Sequence, residues 1–103
     1  MVAEIRSKGE FDTGIAVDRL GVYSAFVEMS PDWQEVAVTV EMFSEQYTDA
    51  HFEKFDIDKV PVLAQELSVR VVPTFFLYKG GKFLHRVDGA SPSALEEAIQ
   101  KYI

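Results

Sequence analysis

Along the first half of the chain, stretches with the hydrophobic pattern of strands alternate with stretches in which apolar residues recur at helical spacing. Strands are predicted at 2–5, 21–27 and 51–57, and the continuous, mostly apolar run at 21–27 is typical of a strand covered on both faces. Between them, apolar residues recur at helical spacing over about 8–18 and 31–47. The first half therefore predicts the order β-α-β-α-β.

Polar residues mark where these two helices begin. Ser7 and Glu10 have the spacing of a capping box, in which the serine accepts from a first-turn amide and the glutamate reaches back. Ser30 and Pro31 are the residue types preferred at an N-cap and a first helical position. The inward stripe predicted for the second helix consists of Trp33, Val36, Ala37, Val40, Phe43 and Tyr47.

The second half predicts a short helix followed by a hairpin. Asp58 is expected to cap a helix whose first turn contains Pro61. Two β-rich runs within 74–87 flank Gly80 and Gly81, a pair that tolerates the positive φ angles of a tight turn.

A last helix is predicted to begin at Ser91 and Pro92 and to face inward through Leu95, Ile99 and Tyr102. No repeat or linker interrupts the pattern, so residues 1–103 are predicted to form one α/β domain. Its element order is βαβαβαββα, which predicts a mixed central sheet with helices on both faces.

Composition narrows the possible partners. The chain has a formal charge of -7 and 48% hydrophobic residues, so a nucleic-acid or anionic-membrane partner is not expected. No apolar run approaches the ~18 residues of a transmembrane helix, and the N-terminus has no apolar signal core. Together with the absence of cysteine, this predicts a cytoplasmic protein. A monomer or weak dimer is expected.

Candidate chemical groups are few. His51 and His85 fall on separate predicted strands, without a further ligand at helical spacing, so neither a metal nor a cofactor is predicted. Gly80 and Gly81 are assigned to a hairpin rather than a phosphate loop, because no helix begins directly after them. Asp56 and Asp58 are interpreted as structural residues at a strand end.

Three segments carry a family resemblance. The stretch "VRVVPTFFLYKGGKF" followed by "VDGASPSALEEAI" resembles the C-terminal half of thioredoxins, and "FDIDKVPVLAQELSV" resembles the segment before it, in wording closest to fungal cytosolic thioredoxins. In that family a proline after an apolar residue is held cis, ahead of an apolar strand and a glycine hairpin. The resemblance implies the thioredoxin fold and a cis bond before Pro73.

The same resemblance exposes a departure at the expected active site. The segment 29–33 stands where the family has Trp-Cys-Gly-Pro-Cys, with Ser30 in place of the nucleophilic cysteine and Trp33 in place of the resolving one. Thiol–disulfide exchange needs a thiolate to attack and a second thiol to resolve the mixed disulfide. The chain has no cysteine, so dithiol oxidoreductase activity is not expected.

The buried aspartate and lysine of the family are also altered. Ser24 stands at the aspartate position while Lys54 keeps the lysine. A buried lysine without an acceptor is costly, so a compensating partner is expected for Lys54, either Ser24 or a backbone carbonyl.

The leading functional hypothesis is a redox-inactive interaction or accessory module. By family analogy, an extended protein or peptide partner would pair its backbone beside the cis-proline, which needs no thiol. The predicted binding residues are Met29, Ser30, Pro31, Asp32, Trp33, Ile57, Val72, Pro73, Gly89 and Ala90. Trp33 is left with two readings, an exposed anchor for the partner or a core plug that fills the space of the missing cysteine.

The alternative hypothesis is a glutathione-binding enzyme. Serine-type glutathione transferases share this fold and use a serine at the same helix start as a hydrogen-bond donor to the thiolate, a place that Ser30 occupies here. The helical second domain of such enzymes is absent from the sequence. A degenerate family member without a binding role is the third possibility.

Overall fold

A computed structural model describes the whole chain, residues 1–103. The predicted element order is confirmed. The five strands are β1 (Val2–Glu4), β2 (Gly21–Phe26), β3 (His51–Asp56), β4 (Thr74–Lys79) and β5 (Lys82–Asp88). The four helices are α1 (Lys8–Ile15), α2 (Pro31–Gln46), α3 (Pro61–Glu66) and α4 (Pro92–Tyr102).

The strands form one mixed sheet in the order β1-β3-β2-β4-β5. Strands β1, β3 and β2 are parallel, whereas β4 runs antiparallel to both β2 and β5. Every residue of the central strand β2 is buried, which is the expected result of covering both faces of a sheet. The predicted fold class is therefore confirmed.

Successive side chains of a strand point to opposite faces, and this divides the core in two. Val22 and Phe26 of β2 pack with residues of α2 and α4 in one cluster. Tyr23 and Ala25 of the same strand pack with residues of α1 and α3 in the other. We call these the α2–α4 face and the α1–α3 face.

Helix α1 ends at Ile15, three residues earlier than predicted. The carbonyl of Ile15 accepts from the amide of Gly81, and that of Val17 accepts from Gly80. Both glycines have positive φ angles, 59° and 80°, as the hairpin prediction required. The chain after Ile15 thus bonds to the hairpin turn instead of continuing the helix.

The predicted cap at Asp58 is wrong. The N-cap position of helix α3 is Val60, two residues after Asp58, and no side chain caps it there. It is Asp56, buried at the end of β3, whose carboxylate accepts from the amide of Asp58 at 2.8 Å. The acidic residue that organises this turn therefore ends the strand rather than starting the helix.

Candidate functional site

The start of α2 is built by the two residues that the sequence singled out. Ser30 has extended backbone angles, and its hydroxyl accepts from the amide of Trp33 at 3.4 Å. Pro31 lies in the first helical turn, where backbone N–H groups have no acceptor within the helix. The absence of an N–H in proline therefore costs no hydrogen bond there. Met29, just before the cap, is 77% exposed. The serine oxygen is thus engaged in capping the helix.

Trp33 is a core residue. It is 6% exposed, and its ring stacks on Phe26 with centroids 5.0 Å apart and an interplanar angle of 24°. It also belongs to the same buried cluster as Val36 of the next turn. The structure therefore supports the interpretation of Trp33 as a side chain that fills the core. A buried side chain is not available to anchor a partner.

The loop before β4 and the turn after β5 are joined at the site. The bond between Val72 and Pro73 is cis, and the Pro73 carbonyl accepts from the amide of Gly89 at 2.8 Å. Gly89 has a φ of 97°, a conformation that favours glycine. Ala90 follows it and packs with Val72 against the cluster that contains Trp33.

One groove opens at this end of the molecule, between the first turns of α2 and the start of α4. Its volume is about 490 Å³. Asp32, Glu35 and Thr39 line it from α2, opposite Ala90 and Ser91. Of the predicted binding residues, only Asp32 and Ala90 border this groove.

The remaining predicted binding residues do not line the groove. Ile57 packs against the other core cluster, on the α1–α3 face, so it is separated from Val72 and Ala90. Sequence reasoning missed Glu35 and Thr39, although their spacing from Asp32 places them on one helix face.

The structure does not pair Lys54 with Ser24, the side chain predicted as its partner. Ser24 and Lys54 are opposite each other in the β2–β3 pair, yet the buried Ser24 hydroxyl has no hydrogen-bond partner. The Lys54 ammonium lies over the ring of Phe26, 5.4 Å from its centroid. A ring face can attract a cation in this position, so the aromatic stack at the α2 start also faces the retained lysine.

A second polar group of residues, on the α1–α3 face, was not found from the sequence. Tyr23, His51 and Glu53 each bury a polar side-chain atom that has no hydrogen-bond partner. Tyr23 and Glu53 are opposite each other in the register of β2 and β3, and the rings of Tyr23 and His51 meet edge to face at 5.8 Å. We call these three residues the Tyr23 cluster.

Burial shifts the acid–base behaviour of all three members. It raises the pKa of Tyr23, an effect that the facing Glu53 carboxylate strengthens. Burial also raises the pKa of Glu53, partly offset by the Tyr23 hydroxyl. The pKa of His51 is lowered by burial and by the nearby Arg19. Each shift favours the neutral form, as expected for polar groups held away from water.

The structure contains neither a group of metal-binding side chains nor a helix that could cross a membrane. No three His, Cys, Asp or Glu side chains come close enough to hold a metal ion. No helix combines the length and the apolar character needed to cross a bilayer.

Comparisons with known proteins cover almost the whole chain. The family model described as Thioredoxin matches residues 2–101. Thioredoxin-2 of Saccharomyces cerevisiae is 41% identical over 100 residues, 96% of each chain, and Thioredoxin-1 of Schizosaccharomyces pombe is 35% identical over 97% of each. A solved structure of Plasmodium falciparum thioredoxin, 32% identical, superposes with a TM-score of 0.94 over 99% of this chain and 100% of that one.

These relatives show that the leading functional hypothesis is wrong. The proteins matched along the full chain are named thioredoxins, redox proteins, rather than redox-inactive accessory modules. The glutathione enzyme built on Ser30 finds no support among them either. The hypothesis inferred a change of functional class from departures at the site, whereas the likeness to named thioredoxins covers 96% of the chain.

The chemical consequence of the missing sulfurs is unchanged. A mixed disulfide needs a thiol on this chain, and the chain has none. The Ser30 hydroxyl accepts a backbone hydrogen bond and cannot replace a thiolate in that reaction.

Proposed function

The chain belongs to the thioredoxin family, and from that premise we propose that it acts within thiol redox pathways by competing with dithiol thioredoxins for their protein partners. It binds such a partner and leaves the partner's cysteines unchanged, because it has no thiol to exchange. It is not itself an enzyme. This role is exerted on the partners of thioredoxins, in the cytoplasm, and differs from that of an accessory subunit of another enzyme.

The proposal rests on one observation: the thioredoxin fold is intact around a site that contains no cysteine. Superposition on the Plasmodium falciparum thioredoxin includes 99% of this chain. Helix α2 still begins with a capped turn at Ser30, and the Gly89 amide still holds the Pro73 carbonyl. A partner that recognises the shape of this end of a thioredoxin would find that shape here.

The partner surface that we propose combines the exposed Met29 with the groove of Asp32, Glu35 and Ala90. Met29 is a flexible apolar side chain, a type used where one surface meets partners of differing shape. The two carboxylates favour a partner with a basic residue beside its cysteine.

A competition assay tests this function. Saccharomyces cerevisiae Thioredoxin-2 reduces the disulfides of insulin with dithiothreitol as electron donor, while the present chain is added in rising excess. We expect the rate to fall with added chain and to recover with more insulin, and the chain alone to give no turnover above the dithiothreitol blank. An unchanged rate at large excess, or turnover by the chain alone, would contradict the proposal.

A matched pair of variants tests the surface. Met29 and Met42 are both exposed methionines, at 77% and 59%, but only Met29 adjoins the α2 start. Met29→Ala is expected to weaken the inhibition at least fivefold, and Met42→Ala to leave it within twofold. Equal effects of the two changes would show that the partner does not bind beside Ser30.

A further inference from the structure

The segment 67–73 joins α3 to β4 without regular secondary structure and reaches the partner surface proposed above. Its last residue, Pro73, accepts through its carbonyl from the amide of Gly89. Gly89 is followed directly by Ala90, which borders the groove. Val71, two residues before Pro73, is 45% exposed. The position of this segment therefore decides which groups a partner meets beside the groove.

Arg86 of β5 binds the beginning of this segment. Its Nη1 donates to the carbonyl of Leu67 at 2.7 Å, its Nη2 to the carbonyl of Ser68 at 2.8 Å, and its Nε to Oδ1 of Asp88 at 2.8 Å. The guanidinium carbon lies over the ring of Phe76, 5.2 Å from its centroid. A guanidinium group spreads its donors over a planar fork, so this one side chain reaches three acceptors at once.

The backbone of Ser68 has an unusual conformation. Its φ angle is 54°, in the left-handed region, and Ser68 is the only residue other than glycine with a positive φ. This conformation is costly for an L-residue and is kept where surrounding contacts fix it. The amide of Val69 bonds back to the carbonyl of Ala64 in α3, and Arg86 supplies the contact from β5. The turn out of α3 is thus fixed from the sheet as well as from the helix.

Asp88 extends this link to the end of the segment. The hydroxyl of Thr74 donates to the carbonyl of Val71 at 2.7 Å. The same hydroxyl lies 3.3 Å from Oδ1 of Asp88, the oxygen that accepts from Arg86. Thr74 is fully buried, so water does not replace these partners. Arg86, Asp88 and Thr74 therefore form one chain of contacts, the Arg86 network, that holds the segment at both ends.

We propose that Arg86 is a positioning residue for the partner surface, an inference that rests on the function proposed above. The Arg86 network fixes the segment 67–73 in the shape that a partner polypeptide meets beside Ala90. Arg86 itself does not line the groove, because its guanidinium packs over Phe76 on the α1–α3 face, whereas the groove lies between α2 and α4. Loss of the planar fork should therefore weaken partner binding without removing a group that lines the groove.

Two variants that conserve charge test the proposal in the competition assay with Saccharomyces cerevisiae Thioredoxin-2 and insulin. Lysine keeps the positive charge but lacks the planar fork of donors. Arg86→Lys is expected to weaken the inhibition at least fivefold. Arg6→Lys, at an exposed arginine between β1 and α1, should change it less than twofold. Circular dichroism at the assay temperature checks that each variant is folded.

The outcomes of this assay separate the positioning role from the proposed function. Absence of inhibition by the original chain would overturn both. Inhibition by the original chain that Arg86→Lys leaves unchanged, or that the two variants weaken equally, would overturn the positioning role alone.

Amide hydrogen exchange distinguishes local positioning from a general loss of stability. The amides of Val69 and Gly89 are hydrogen-bonded near the two ends of the segment, to the carbonyls of Ala64 and Pro73. In Arg86→Lys we expect their exchange to accelerate at least fivefold more than that of the β2 amides, because the lost donors contact the segment and not the central strand. Equal acceleration in β2 would show that Arg86 supports the fold as a whole and would overturn the proposal.

Thr74 gives an independent test through a conservative variant. Thr74→Val keeps the shape of the side chain but removes the hydroxyl that donates to Val71, and it is expected to weaken the inhibition at least threefold. Thr74→Ser keeps the hydroxyl and should leave the inhibition within twofold of the original. Equal inhibition by the two variants would show that the hydroxyl does not hold the segment and would overturn the proposal.

Discussion

The start of α2 and the Tyr23 cluster lie on opposite faces of one sheet and differ in how their polar atoms are satisfied. At the α2 start the hydroxyl of Ser30 is bonded to a backbone amide, and the ring of Trp33 is stacked on Phe26. In the Tyr23 cluster, three buried polar atoms have no partner. The capping hydroxyl at the α2 start is therefore satisfied and the Tyr23 cluster is not, although the Ser24 hydroxyl, on the same sheet face as Phe26, also has no partner.

This difference predicts that the two regions respond differently to substitution. Large aromatic side chains contribute most to core energetics when they are fully enclosed, as Trp33 is. Buried polar atoms without partners have the opposite effect, because their desolvation is not repaid. Removing a side-chain hydroxyl should therefore lower the free energy of unfolding at the α2 start and raise it in the Tyr23 cluster. Four experiments compare the two regions, and the third tests this change of sign.

The largest effect is expected from Trp33→Ala. The change removes the stack on Phe26 and leaves a cavity in the α2–α4 core, which should cost ~3–5 kcal/mol of the free energy of unfolding. Urea denaturation followed by circular dichroism measures it. A loss below about 1 kcal/mol, as is usual for surface changes, would contradict the plug assignment.

The second effect compares two glycines of α1. Gly14→Ala forces a Cβ against the oxygens of Tyr23 and Glu53, and such overpacking should cost ~1–3 kcal/mol, because the rigid, enclosed tyrosine cannot turn away. Gly9→Ala is the control, since its nearest neighbour would be 3.8 Å away and helix propensity alone should gain up to ~1 kcal/mol. Equal effects at the two positions would show that the Tyr23 cluster yields easily.

The third effect concerns three hydroxyls, and it is expected to change sign between the helix caps and the Tyr23 cluster. Ser30→Ala removes a satisfied cap and should destabilise by ~1 kcal/mol, as should Ser91→Ala at the matching cap of α4. Tyr23→Phe removes an unsatisfied hydroxyl, and should stabilise by about 1 kcal/mol. Thermal and urea denaturation of the three variants measure the sign of each change. Destabilisation by Tyr23→Phe would mean that the Tyr23 hydroxyl has a hydrogen-bond partner in solution.

The smallest effect is a pH dependence at Glu53. Burial raises the pKa of this carboxyl, so its stabilising contribution is complete below the unfolded pKa, about 4.3, and is lost as the pH rises through the folded pKa. Glu53→Gln lacks this proton, and its stability relative to the original chain should therefore increase as the pH rises from about 4 to 7.

Midpoints of urea unfolding at several pH values measure that difference. His51 carries the opposite dependence, since its pKa is lowered and its contribution is lost as the pH falls, but it is common to both proteins. A stability difference that does not change with pH would contradict the assigned shift at Glu53.

Local sequence was sufficient for the fold and for the shape of the α2 start. The order of elements follows from apolar periodicity, and the start of α2 follows from Ser30 and Pro31, since a cap and a first-turn proline act through neighbouring backbone atoms. The wording around Pro73 indicated a cis bond, which is present. The end of α1 was missed because Ile15 bonds to Gly81 and Val17 bonds to Gly80, pairs that are 66 and 63 residues apart in the chain. No local sequence pattern records such contacts.

By itself the sequence determined one chemical fact about this protein, that it has no thiol, because composition does not depend on how a chain folds. Only the tertiary structure decided which atoms are enclosed. It placed Trp33 in the core and not on the rim, directed Lys54 to the ring of Phe26, and brought Tyr23 and Glu53 together against Gly14. Each outcome depends on contacts between residues distant in sequence, and periodicity specifies only the face of an element on which a side chain lies.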